Sequence, residues 1–269
     1  QELFMTETAR MADVIFPASS FLEKEGTFTN GERRIQKVQQ VVEPLEGTKP
    51  DGQIVVDMMN RMGYPQKGYT ADITLKEISG IVPFFKGVRW DELGNNGKQW
   101  PVKEDGTDTK ILHTETFKRG LGKFHSWDYD ISPELDENAG RFPYILTTGR
   151  LLEHYNSGTM TRRTPNREIV TEDVLYVHPV DAEAKGLVTG DFARIFSARG
   201  TTTMKVKVTD VVKPGVIYTT FHFPEAAINF LTSGIGDEFT LTPEYKVVAV
   251  DFEKSFYGIF TRAECRTDM

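Results

Sequence analysis

The stretch from Thr147 to Arg163 reads TTGRLLEHYNSGTMTRR and has no clean apolar period. It crowds Arg150, His154, Tyr155, Asn156, Ser157, Thr159, Arg162 and Arg163 into one short run. Arg150 offers a planar fork of donors suited to phosphate or to a carbonyl-rich ring. His154 adds ring nitrogens, and Ser157, Thr159 and Thr161 add hydroxyls. Gly158 lets backbone approach a ligand closely. Such a set fits a multi-phosphate or heterocyclic ligand. A solvated loop with its arginines in water accounts for the same composition, and residue types alone do not choose.

A second set lies further on. YTTFHFPEAAINF puts Phe221 and His222 at the end of an expected strand and Asn229 a short helical stretch later. An aromatic edge and a side-chain amide suit a flat ring; core packing is the plainer account of Phe221. TPEYKVVAV brings Tyr245 and Lys246 to the head of the last expected strand, where a lone Tyr-Lys pair is ordinarily surface. Glu2 and Asp13 flank the first apolar run, a place where a carboxylate can receive a ribose or a base. EGTFTNGERR, Glu25 to Arg34, lacks the nucleotide-binding glycine order and reads as a turn with charge partners. There is no Ser-His-Asp order, HExxH motif or phosphate-binding loop.

These residues need elements to carry them. TETARMA predicts a helical turn capped by Thr6, and Ala12 to Ala18 predicts a short strand stopped by Pro17. Pro50 to Tyr64 predicts a helix capped by Asp51. Ile54, Val55, Met58, Met59 and Met62 recur on it at helical spacing and are expected in the core. Thr70 to Phe85 predicts a second helix. Residues 86–142 lose the apolar period, with one strand expected at Ile111 to Phe117. Beyond Phe142 six runs predict strands: PYILTTG, VLYVHP, DFARIFSA, TTTMKVKVTD, GVIYTTFHF and YKVVAVDFE. Pro179 to Leu187 predicts a short helix capped by Asp181, and ARGT a hairpin turn. Six strands at this spacing predict a closed barrel rather than an open sheet.

Bulk properties bound the function. The 269 residues are 39% hydrophobic and 26% charged, a globular balance long enough for two domains. A net charge of −7 argues against nucleic acid as the main partner. The lone Cys265 excludes a disulfide framework, and no CxxC or Cys/His cluster offers an iron–sulfur or zinc site. No apolar run reaches the ~18 residues of a membrane span. The opening QELFMTETAR reads like the middle of a domain, so residue 1 is not expected to start the gene product.

Four segments, MTETARMADVIFPASSFLEKEGTFTNGERRIQKV, TTGRLLEHYNSGTMTRR, GLVTGDFARIFSARG and TPEYKVVAV, together resemble the C-terminal half of a molybdopterin-dependent oxidoreductase of the dimethyl-sulfoxide-reductase superfamily. Within it the chain is most similar to the catalytic (alpha) subunit of formate dehydrogenase, with FHF…EAA…N as a further shared run. The resemblance implies the α/β remainder of a larger domain followed by a mostly β double-psi barrel. It implies an α/β part over 1–90, an extended connection over 91–141 and a dinucleotide-binding barrel over 142–269. The cofactor implied is a bis-molybdopterin guanine dinucleotide carrying Mo or W. On this resemblance Thr148, Gly149, Arg150, His154 and Ser157 contact one dinucleotide. Phe221, His222, Asn229, Tyr245 and Lys246 complete its pterin side, and Glu2 accepts from guanine N–H groups.

The family's metal-ligating Cys or selenocysteine, its catalytic His and Arg and the cysteines of its 4Fe–4S cluster lie upstream and have no counterpart here. No catalytic residue and no metal ligand is therefore assigned to this chain. Implied partners are the N-terminal part of the same subunit, iron–sulfur and electron-acceptor subunits, and formate and carbon dioxide; a cytoplasmic location is expected. A nitrate or other oxyanion reductase stays open within the superfamily. So does a scaffold like the large subunit of respiratory complex I, against which the set Arg150, His154, Asn229, Tyr245 and Lys246 weighs.

Overall fold

The computed structural model describes residues 1–256. They fall into two compact units, Gln1–His125 and one that begins at Ser126. The break lies inside the 91–141 segment expected to connect an α/β part to a barrel. Cys265 and the end of the expected barrel segment lie outside the described residues.

The first unit joins a small sheet to two helices. β1 (Gly26–Thr29), β2 (Arg34–Val38) and β3 (Lys98–Gln99) pair antiparallel in that order. EGTFTNGERR is thus half strand rather than only a turn. Asn30 makes the reversal, its side-chain oxygen accepting from the N–H groups of Glu32 and Arg34 at 2.9 and 3.0 Å. α1 (Asp51–Arg61) and α2 (Ala71–Ile81) flank the sheet, and Pro83 stops the second helix short of Phe85. Ile35, Leu75, Val88, Leu93 and Val102 form the core.

Several expectations for this unit are corrected. Ala12 to Ala18 is not a strand; it makes only single bridges, Glu2 to Pro17 and Ala18 to Lys49. Pro17 has no N–H to extend a ladder, and Val14 and Phe16 are exposed. Among the described residues Ile111 to Phe117 forms no strand either, its one bridge joining Phe117 to Gly120. Of the periodic residues of α1 only Ile54 is buried, while Val55, Met58 and Met62 are exposed. Pro50, not Asp51, occupies the cap position. The Asp51 carboxylate instead pairs with Lys24 and accepts from the Gln1 amide at 2.6 Å. Thr8, not Thr6, occupies the cap position of the turn Ala9–Met11, although the Thr6 hydroxyl accepts from the Ala9 N–H at 3.1 Å.

The second unit is the predicted closed barrel. Its chain order is α3 (Pro133–Glu137), β4 (Tyr144–Gly149), α4 (Asn166–Ile169), β5 (Val174–Val177), α5 (Pro179–Ala184), β6 (Phe192–Phe196), β7 (Thr201–Val208), β8 (Val216–Thr220) and β9 (Val248–Ser255). The strands close in the order β4-β8-β5-β7-β6-β9. β4 runs parallel to β8 and β5 parallel to β7, and the other pairings are antiparallel. Together with the α/β first unit this is the fold class expected. α5 differs in its cap: His178 Nδ1 accepts from the Val180 N–H at 3.2 Å, and Asp181 accepts from the Gly215 N–H at 2.8 Å. The last strand begins at Val248, after Tyr245 and Lys246 rather than with them.

Inward residues from every strand fill the barrel, among them Leu146, Leu175, Ile195, Met204, Ile217 and Phe252. α3 is tied on by charge. Glu134, 1% exposed, accepts from both terminal nitrogens of Arg199 and from the Ala249 N–H at 3.1 Å. A bidentate pair of this kind fixes orientation as well as energy.

Candidate cofactor-binding site

Parallel pairing of β4 with β8 sets Gly149 opposite Thr220. Both strands therefore end at the same rim, and the donor-rich loop after β4 emerges beside the FHF segment after β8. Gly149 is required there for space: a Cβ would stand 2.3 Å from the Tyr218 hydroxyl. Burial, with Tyr176 and Asp173 adding to it, pushes the Tyr218 phenol above its ordinary value. That hydroxyl stays neutral at physiological pH.

Thr148 is buried and its hydroxyl donates to the Tyr245 carbonyl at 3.2 Å, which brings the segment before β9 to the same rim. Arg150 is exposed, with its guanidinium 5.5 Å from the centre of the Phe221 ring. Phe221 packs against the barrel core, and its ring lies 5.4 Å from that of His222.

The two histidines are committed to the protein. His154, 4% exposed, has Nε2 at 2.9 Å from the Val170 carbonyl and Nδ1 at 3.0 Å from the Thr161 hydroxyl. The carbonyl can only accept, so Nε2 carries the proton. Thr161 Oγ1 takes the Tyr155 N–H at 3.2 Å and donates to Nδ1. His222 is fully buried; its Nδ1 donates to the Asn156 carbonyl at 2.5 Å and its Nε2 accepts from the Leu151 N–H at 3.0 Å. One ring thus holds both ends of the loop from 151 to 156. Asn156 (φ 49°) and Gly158 (φ 69°) turn the chain back, and a Cβ on Gly158 would stand 2.8 Å from the His222 carbonyl. The sequence offered these imidazoles as ligand groups; the structure spends their ring nitrogens on the loop and, for His154 Nε2, on the Val170 carbonyl.

The other expected residues have free donors. Ser157 is exposed and reaches only Thr159, hydroxyl to hydroxyl, at 3.3 Å. The Asn229 amide, the Tyr245 hydroxyl and the Lys246 ammonium make no hydrogen bond or ion pair among the described residues. Among the described residues no hydrogen bond, ion pair or ring contact joins Asn229, Ser157 or Lys246 to Arg150. Glu2 belongs to the first unit, where one carboxylate oxygen accepts from the Leu3 N–H at 2.8 Å. Sequence reasoning missed Asp173, a buried carboxylate beneath the FHF segment, because its partners lie 47 to 50 residues away. A cavity of about 260 Å³ opens beside it, lined by Arg162, Glu172, Phe223 and Glu225. Glu172 and Glu225 are paired there with Lys205 and Arg162.

Residues 144–249, the barrel and both donor segments, match the molybdopterin dinucleotide-binding domain, and residues 1–61 match molybdopterin oxidoreductase. The chain belongs to the molybdopterin oxidoreductases. The F420-dependent formate dehydrogenase 2 subunit alpha of Methanococcus maripaludis is 40% identical over 94% of this chain and 38% of its own. The corresponding subunit of Methanocaldococcus jannaschii is 39% identical over the same shares. This molybdopterin oxidoreductase chain therefore spans well under half the length of those relatives. Its fold is that of the acetylene hydratase from Pelobacter acetylenicus, with a TM-score of 0.65 over 94% of this chain and 39% of that one at 21% identity. Among the described residues no cluster of His, Cys, Asp and Glu could hold a metal ion, and no helix is long and apolar enough to cross a membrane.

Proposed function

We propose that this chain is the cofactor-capping part of the catalytic subunit of a formate dehydrogenase. The enzyme would convert formate to carbon dioxide, a proton and two electrons, or run the reverse. The observation that carries this reading is the 40% identity to a formate dehydrogenase alpha subunit across 94% of the chain.

The residues present fit a bis-molybdopterin guanine dinucleotide. Arg150, Ser157, Asn229, Tyr245 and Lys246 are donors left over after the fold has used the rest. Arg150 and Lys246 suit phosphate or carbonyl oxygens, Asn229 and Tyr245 suit a pterin edge, and Phe221 gives Arg150 a platform. Thr148, Gly149, His154 and His222 shape the rim on which they stand. Glu2 has a second carboxylate oxygen with which to accept from a guanine. When bound, the cofactor with its Mo or W supplies the two-electron chemistry. The chain's own part is to grip and orient it; metal ligand, catalytic groups and a 4Fe–4S cluster would come from other parts of the subunit. Iron–sulfur and electron-acceptor subunits would carry the electrons onward, in the cytoplasm.

The test is Arg150→Ala in the full-length subunit. The loss of one charge-assisted hydrogen bond should weaken dinucleotide retention by about 1.5–3 kcal/mol. Folding should be unaffected, because Arg150 is exposed and, among the described residues, its guanidinium lies over a ring face and makes no hydrogen bond or ion pair. Wild-type dinucleotide content and wild-type formate oxidation would overturn the assignment.

A further inference from the structure

Asp173 stands just before β5 and is 4% exposed. A buried carboxylate needs partners for its oxygens, and all of Asp173's come from one short segment. The Thr220 hydroxyl and the His222 N–H (3.3 Å) donate to Oδ1, and the Phe223 N–H donates to Oδ2 at 2.9 Å. Three donors from four consecutive residues converge on one side chain. Residues 221–223 follow the end of β8, where the ladder stops at Thr220, and for His222 and Phe223 the Asp173 carboxylate takes the place of a neighbouring strand.

The consequence travels through His222. With its backbone held, the His222 ring is presented to the Leu151 N–H and the Asn156 carbonyl. Those are the two ends of the donor loop's first turn. Phe221, carried on the same segment, lies beneath Arg150. Among the described residues the carboxylate makes no hydrogen bond or ion pair to the loop.

We propose that Asp173 is the positioning residue of the dinucleotide loop, holding Thr220 to Phe223 so that His222 clamps Leu151 and Asn156. The proposal rests on the reading of that loop as a dinucleotide site, and its test keeps the two apart. Asp173→Asn keeps the shape but turns an amide NH₂ toward at least one donor. In the full-length subunit, hydrogen exchange of the 150–157 backbone reads the clamp, and pterin content reads the ligand. Exchange of the Leu151 amide should rise at least tenfold, while amides of the β6–β7 hairpin keep wild-type rates. Pterin content should fall with it.

His222→Phe leaves the Asp173 bonds in place but removes the clamp, and it should give the same local rise. The double variant should rise no further, as expected for two residues acting through one contact. Should Asp173→Asn fail to fold, Thr220→Val removes a single donor and should give a smaller rise confined to 150–157. Wild-type exchange at Leu151 in the folded variants, or effects of Asp173→Asn and His222→Phe that multiply, would overturn the proposal. A rise in exchange with unchanged pterin content would uphold the clamp and overturn the dinucleotide reading instead.

Discussion

Among the described residues the barrel core gathers sixteen buried hydrophobic residues, from all six strands and from α5 and the segments around them, whereas the core of the first unit gathers five around Ile35. The barrel closes its sheet, so no strand is left with an unpaired edge. The first unit leaves β1 and the two-residue β3 as edges and exposes Met11, Val14, Val41, Leu45, Met62 and Ile81. Even their polar anchors differ. The barrel ties α3 down through a buried carboxylate and a two-nitrogen guanidinium grip, while the first unit relies on Glu23, held by backbone N–H groups, and on the half-exposed Asp51. The difference teaches that the barrel's order is internal and cooperative, and that the first unit depends on a few anchors.

The largest effect expected is in the barrel. Phe252 is fully buried and stacks on Tyr144 at 4.7 Å. Phe252→Ala should cost about 3–5 kcal/mol, read from the barrel's denaturant transition. A cost under about 1 kcal/mol would mean that the core yields like a surface and would erase the contrast.

A pH effect comes next, in the first unit. Backbone N–H groups of Ser20 and Leu45 hold the ionised Glu23 and keep its carboxyl below the ordinary value. A depressed folded value adds stability that is present above the unfolded carboxyl value of about 4.3 and is lost as pH falls through the folded one. Glu23→Gln should therefore lower stability at neutral pH and flatten its fall in acid. Parallel acid-unfolding curves for variant and wild type would break this account.

The smallest effect belongs to the exposed apolar run. Val14→Ser should change stability by no more than ~0.5 kcal/mol in the chain of residues 1–269. A larger loss would show Val14 to be covered, and would bring the two units closer in kind.

Legibility followed the same divide. The barrel strands could be read because apolar inward residues alternate with less buried neighbours, as with Leu175 and Val177 in VLYV and Ala193 and Ile195 in FARIF. The runs at 12–18 and 111–117 have the same residue types but find only isolated bridges rather than a ladder, and β-propensity reports packing against neighbours as much as backbone preference. The hairpin β1–β2 was hidden for the opposite reason: Ile35 is its one buried residue, and Gly26, Asn30 and Gly31 read as loop. At the rim, residue types were legible and commitments were not. Arg150 and Lys246 look alike in sequence to any exposed cations. That His154 and His222 spend both ring nitrogens on groups of the protein depends on carbonyls and amides up to 71 residues away. Asp173 announces nothing locally, since all three of its donors arrive with β8 and the segment after it.

The parallel pairing of β4 with β8 also sets a schedule for the chain's birth. Thr147 to Arg163 leave the ribosome long before Val216 to Thr220, and until β8 arrives the loop has neither Phe221 beneath it nor His222 to hold its ends. Closing a span of that length carries an entropy cost that local contacts do not offset in advance. A nascent chain that has made the donors therefore cannot yet grip with them, and the rim becomes competent late, when the sixth strand seals the barrel.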